Sequence, residues 1–157
     1  MSRVPINVVL VAPQIPHNTG AIGRLCVGLG ASLHLIRPLG FMLSANAIRR
    51  SGLDYWPHLD VTVHDNWETF LEATQPVQLC FASTKATASL YDCPFRPGCC
   101  LVFGNEGEGL PSVFYTRYAS DLWQIPMPGE HARSLNLATA VAIVMYEAYR
   151  QLRVPSL

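Results

Sequence analysis

Two kinds of hydrophobic pattern alternate along the chain. Uninterrupted apolar runs, such as Ile-Asn-Val-Val-Leu-Val-Ala at 6–12 and Cys-Cys-Leu-Val-Phe at 99–103, predict strands buried on both faces. Shorter runs predict further strands at 32–36, 61–64, 77–83 and 121–125. Between them, apolar residues recur at helical spacing. Ile22, Leu25, Cys26 and Leu29 mark a helix over 19–29, with Asn18 as its cap and Gly30 as a left-handed terminator. Asn66 is expected to cap a helix reaching about residue 73, with Trp67, Phe70 and Leu71 inward. Ser44 is expected to cap a short helix carrying Arg49 and Arg50, and Pro111 suits the first turn of another. The longest helix is expected over 135–152, capped by Ser134. Strands alternating with helices predict an α/β fold, a mainly parallel sheet flanked by helices, in a single domain over 1–157.

Between these elements lie stretches that periodicity does not explain. The buried run at 99–103 breaks into Gly104-Asn105-Glu106-Gly107-Glu108-Gly109-Leu110. Three glycines there let backbone approach a ligand where side chains would block it. The spacing is neither that of a Walker loop nor that of a dinucleotide fingerprint. Its two glutamates would repel a phosphate-rich ligand, so a cofactor cationic at its reactive atom suits the loop better, and the sulfonium of S-adenosylmethionine qualifies. A second stretch, Asn18-Thr19-Gly20-Ala21-Ile22-Gly23-Arg24, sits at a strand-to-helix junction, where open α/β sheets place ligands. A capping Asn, a close-packing Gly and a solvated Arg account for it equally well.

Composition narrows the classes. Half of the 157 residues are hydrophobic and 14% charged, as in an ordered globular chain whose partner subunit covers some apolar surface. Eleven basic residues balance eleven acidic ones, which argues against non-specific, high-affinity nucleic-acid binding but leaves room for a local basic patch. Five cysteines without a zinc-type pairing predict free thiols in a reducing, cytoplasmic setting. Cys99 and Cys100 should face opposite sides of their strand. The five histidines lack metal-ligand spacing, no serine carries the glycines of a hydrolase elbow, and no apolar stretch is long enough to span a bilayer. No metal and no membrane partner are therefore expected.

Residues 18–24, 102–110 and 125–138, in that order, resemble the three motifs of the SPOUT superfamily of RNA methyltransferases, in its SpoU branch. Segments 49–56, 83–85 and 146–152 look most like the small, single-domain TrmL/YibK-type tRNA (cytidine/uridine-34) 2'-O-methyltransferases. The resemblance implies a C-terminal trefoil knot whose loops hold S-adenosylmethionine, with Ala82, Gly104, Ile125, Ser134 and Leu135 at cofactor-contacting positions and Leu137 nearby. It implies that Arg24 is the catalytic arginine, supported by Asn18 and Glu106. A guanidinium is a donor-only group, so Arg24 is better suited to clamp a phosphate beside the reacting ribose than to act as a base.

The family resembled is dimeric, its first and last helices packing across a two-fold axis, and Leu137, Val141, Val144 and Met145 offer an apolar face for that contact. One tRNA would straddle both subunits, with Arg49, Arg50, Lys85, Arg133, Tyr146 and Arg150 as candidate contacts. The chain departs from the subgroup at Gln14, Ala21 and the Asn-Glu-Gly-Glu of 105–108, which looks more like ribosomal or guanosine-18 enzymes. The reaction expected is ribose 2'-O-methylation at the tRNA wobble nucleotide. Another tRNA position or rRNA, an idle RNA-binding member and a flavodoxin-like nucleotide module are the rivals.

Overall fold

The computed structural model describes residues 5–43 and 54–153. Six strands form one sheet: β1 (Ile6–Val11), β2 (Ser32–Ile36), β3 (Val61–His64), β4 (Leu79–Ala82), β5 (Cys99–Phe103) and β6 (Leu122–Trp123). The strand order is β3-β2-β1-β5-β4-β6, and every pairing is parallel. The helices are α1 (Pro16–Leu29), α2 (Trp67–Thr74), α3 (Phe114–Arg117) and α4 (Leu137–Arg153). The expected short helix with Arg49 and Arg50 lies outside the described residues.

Strand alternation divides the core into two layers. Ile6, Val8, Leu10, Leu33, Leu35, Leu101 and Phe103 point to one face, where they meet Ile22 and Cys26 of α1 and Val141, Val144 and Met145 of α4. Val9, Val11, Ile36, Cys100 and Val102 point to the other, where Trp67 of α2 and Phe114 of α3 pack on Phe81 and Phe70 packs on Trp67. Cys99 and Cys100 fall in different layers, as the pleat requires. All five cysteines are free and buried, and burial pushes the Cys26, Cys99 and Cys100 thiols up to about 12.

Several expectations need correction. Asn18 does not cap α1. The helix starts at Pro16, its N-cap Ile15 has no side-chain bond, and Asn18 lies buried within the first turn. Ser134 does not cap α4 either; Asn136 Oδ1 accepts from the amide of Thr139 at 3.3 Å. The face of Val141, Val144 and Met145 is spent on this chain's own sheet and is not free for a second subunit. Strand β6 has two residues instead of five. Asn66 and Gly30 behave as the sequence predicts: Asn66 forms a reciprocal capping box with Thr69, and Gly30 closes α1 at φ 69°.

Candidate active site

Strands β1 and β5 are neighbours, and the chain leaves β1 toward β2 on one side and β5 toward β6 on the other. Such a switch point opens a crevice beyond the C-terminal strand ends. Here the turn after β1 meets the glycine loop after β5. Asn105 Nδ2 donates to the Ala12 carbonyl at 2.6 Å, while the Ala12 amide donates to the Ile36 carbonyl at 2.8 Å. Ala12 is thereby held at φ 53°, a left-handed conformation that costs a non-glycine residue of order 1–3 kcal/mol.

The glycine loop braces itself. Asn105 and Gly109 exchange two backbone hydrogen bonds of 2.9 Å, and Asn105 Oδ1 accepts from the amides of Gly107 and Glu108. A Cβ on Gly104 would lie 2.2 Å from the carbonyl carbon of Gly109, so only glycine lets the loop fold back there. The freedom of Gly104 thus serves the loop's own crossing, whereas a Cβ on Gly107 would meet only Asn105 Oδ1 at an ordinary 3.5 Å.

Glu106 reaches from this loop to the start of α1. Its Oε1 accepts from the Gln14 amide and its Oε2 from the Ile15 amide, both at 2.8 Å, and Oε2 also accepts from Asn18 Nδ2 at 3.3 Å. A carboxylate at a helix N-terminus is stabilised by those unpaired amides. Asn18 Oδ1 in turn accepts from Asn136 Nδ2 at 3.1 Å. One hydrogen-bonded chain therefore joins the three sequence motifs. Sequence reasoning missed Asn136, although an Asn directly before a helical run is a stronger cap signal than a Ser two positions earlier.

Beside this chain lies a cavity of about 290 Å³ lined on its apolar side by Phe103, Leu110, Ile125, Met127, Leu135 and Leu137. Ala82, Gly104, Ile125, Ser134 and Leu135 all line it, with Glu106, Glu108 and Lys85 at its polar side. Arg24 does not line it. That residue is exposed on α1. Its neighbour is Tyr55, whose hydroxyl donates to the Gly20 carbonyl; burial raises the Tyr55 phenol and the Arg24 charge opposes the shift. Gly23 is the close-packing glycine of this junction, since a Cβ there would press on Leu59 and Trp56 at 3.0 and 3.2 Å.

Lys85 and Arg133 are exposed, and Lys85 Nζ stands 5.0 Å from the Tyr115 ring centroid. Tyr146 is half exposed and packs edge-on against Tyr149, away from the cavity. Arg150 is paired with the buried Glu147 through two bonds of 2.9 Å. Among the described residues no group of three His, Cys, Asp or Glu side chains is arranged for a metal, and no helix is long and apolar enough to cross a membrane.

A parallel α/β sheet with knitted loops and a mixed apolar and acidic cavity at its switch point defines a ligand-binding domain of the nucleotide-handling kind. The chain belongs to the SpoU rRNA methylase family, whose model matches residues 5–146. It is 45% identical over 149 residues to a tRNA (cytidine(34)-2'-O)-methyltransferase of Burkholderia ambifaria, covering 92% of this chain and 94% of the relative. A solved structure bearing on 2-OH methylation of C/U34 on tRNA superposes with a TM-score of 0.89 at 48% identity, covering 96% and 98% of the two chains. An AdoMet-bound rRNA methyltransferase of Sinorhizobium meliloti superposes at 0.83 with 27% identity, covering 98% of this chain and 59% of the other.

Proposed function

We propose that the chain transfers a methyl group from S-adenosylmethionine to the ribose 2'-hydroxyl of tRNA nucleotide 34. The observation that carries this is the Glu106–Asn18–Asn136 chain, which locks three distant segments around one cavity. The cavity's chemistry fits the cofactor: Ile125, Leu135 and Leu137 give an apolar wall for an adenine, and Glu108 places negative charge toward a sulfonium. Ala82, Gly104 and Ser134 would hold the remainder. When bound, the cofactor supplies an already electrophilic methyl group, so the protein's task is alignment and desolvation.

Both oxygens of Glu106 already accept N–H donors, so it acts as a positioning residue. Arg24, exposed and donor-only, clamps a phosphate beside the reacting ribose. Lys85 and Arg133 contact the RNA backbone, with Tyr146 as a stacking surface and with Arg49 and Arg50, which lie outside the described residues. The protein works as a homodimer. Half-buried Leu25, Val27 and Ile143 leave apolar surface on α1 and α4 for the second copy. Sedimentation at the protomer's mass with full activity would remove this part.

Incubation with bulk tRNA and labelled S-adenosylmethionine, followed by nucleoside mapping, tests the central reading. A 2'-O-methylated nucleoside at position 34 is expected; label on a base, or at another position alone, overturns it.

A further inference from the structure

Helix α3 is anchored through two of its neighbouring aromatic side chains and presents a third to the cofactor cavity. Phe114 and Tyr118 both pack on Trp67 and Phe81, and the Tyr118 hydroxyl accepts from Trp67 Nε1 at 2.8 Å. Tyr115, the residue after Phe114, is turned about 100° from it around the helix. Its side chain lines the cavity, and its hydroxyl lies 3.1 Å from Ser83 Oγ, another residue of the cavity wall. Ser83 Oγ also accepts from the Lys85 amide at 3.1 Å, so the loop after β4 converges on this contact. The glycine loop passes close by, since a Cβ on Gly109 would stand 3.8 Å from the same hydroxyl. Tyr115 and Lys85 also line a neighbouring hollow of about 420 Å³, so the ring is a partition with space on two sides. Over that ring, 5.0 Å from its centroid, stands Lys85 Nζ.

We propose that Tyr115 is a positioning residue for the methyl donor: its hydroxyl fixes Ser83 and the loop after β4 against the cofactor, and its ring seats the Lys85 ammonium that meets the RNA. The inference rests on the methyltransferase reading above and deepens it. A hydroxyl oxygen has two acceptor sites and one proton. With Tyr115 donating, Ser83 Oγ accepts twice, from the phenol and from the Lys85 amide, and its own proton is left for an acceptor in the cavity. The one bond thus holds the wall in place and frees a donor for the occupant. The ring attracts Lys85 through its quadrupole without neutralising it, so the cation keeps its charge for a phosphate. Phenol and ring serve different ligands, and substitution separates them.

Equilibrium binding of S-adenosylmethionine to the full-length protein and steady-state kinetics with tRNA provide the test. Tyr115→Phe keeps the ring and its packing but loses the phenol. The S-adenosylmethionine Kd should rise about threefold to tenfold, while KM for tRNA stays within about twofold. Ser83→Ala should weaken the cofactor at least as much, and the double variant should be no weaker than Ser83→Ala alone, because both changes remove one contact. Tyr115→Leu removes phenol and ring together and should add a rise of about two- to fivefold in KM for tRNA. The proposal fails if Tyr115→Phe raises the cofactor Kd by less than about threefold, even where it lowers the melting temperature, as a merely structural contact would. It fails too if the losses at Tyr115 and Ser83 multiply in the double variant, or if Tyr115→Leu leaves KM for tRNA where Tyr115→Phe has it. Wild-type protein that binds no S-adenosylmethionine would overturn the function reading itself, and this inference with it.

Discussion

Two of the polar chains in this molecule are built from opposite materials. At the C-terminal strand ends, Glu106, Asn18 and Asn136 join loop, α1 and the start of α4 around a carboxylate fed by backbone amides. Across β3, β2 and β1, His64 Nε2 lies 3.0 Å from His34 Nδ1, and His34 Nε2 lies 3.3 Å from Asn7 Oδ1. Asn7 passes the chain on to the Gly98 carbonyl at 3.3 Å. Phe70 packs edge-on against both imidazoles. The first chain centres on a carboxyl group that accepts three N–H donors; in the second, burial and mutual repulsion push His34 down to about 4. A network that tolerates charge lies beside the cavity, while one that excludes charge holds strands β1, β2 and β3 together.

The largest effect should come from cutting the first chain. Glu106→Ala frees the amides of Gln14 and Ile15 and the Asn18 amide group, so the turn after β1 loses its tie to the glycine loop. We expect kcat/KM for tRNA to fall by roughly 100-fold or more, because small misplacements of aligned groups are that costly. These groups are partly solvated, so stability should drop by only about 1–3 kcal/mol. Activity within fivefold of wild type would show that the chain is not what aligns the site.

The second chain should respond in the opposite way. His34→Leu is expected to cost about 1–3 kcal/mol in denaturant unfolding, because Asn7 and His64 lose a buried partner. Turnover per folded molecule should stay within about twofold. Both imidazoles have folded values below their unfolded 6.5. The unfolded chain therefore binds more protons, and stability is full above about 6.5 and lost as pH falls toward 4. Asp60 faces His34 and opposes part of this shift. Glu147 also loses its contribution on acidification, but only below its unfolded 4.5, which leaves 4.5 to 6.5 as the histidine window. In that window His34→Leu should flatten the slope of unfolding free energy against pH, and an unchanged slope would remove the pair as its source.

The same contrast explains what could be read before the structure. Strands β1 and β5, the opposite facing of Cys99 and Cys100, the Asn66 cap and the Gly30 terminator all follow from rules acting over a few residues. Asn18 looked like a cap for the same reason, yet its partners are Glu106 and Asn136, 88 and 118 residues away. Periodicity marked Val141, Val144 and Met145 as one apolar face, but it says nothing about whether a sheet or a second subunit covers that face. The residues around the first cavity were named from motif likeness, and their convergence is a property of strand order. The His34–His64 contact joins two short strands that show no local sign of it.

The smallest effect is expected at Arg150, which sequence alone offered as an RNA contact. Its guanidinium grips Glu147 through two bonds of 2.9 Å, and Gln151 Nε2 adds a third to the same carboxylate at 2.7 Å. Gln151 Oε1 accepts from the Phe95 amide at 3.1 Å, which ties α4 to the segment before β5. Arg150→Ala leaves Glu147 with its Gln151 bond, and an ion pair whose cation is solvent-exposed contributes little to stability. The positive charge is already neutralised by Glu147, so removing it should leave tRNA affinity within twofold and its dependence on salt unchanged. A fall in the slope of log affinity against log salt by about one unit would mean that Arg150 leaves Glu147 to bind a phosphate. It would also add a cation on α4 to the RNA-binding surface assigned to Lys85, Arg133 and Tyr146.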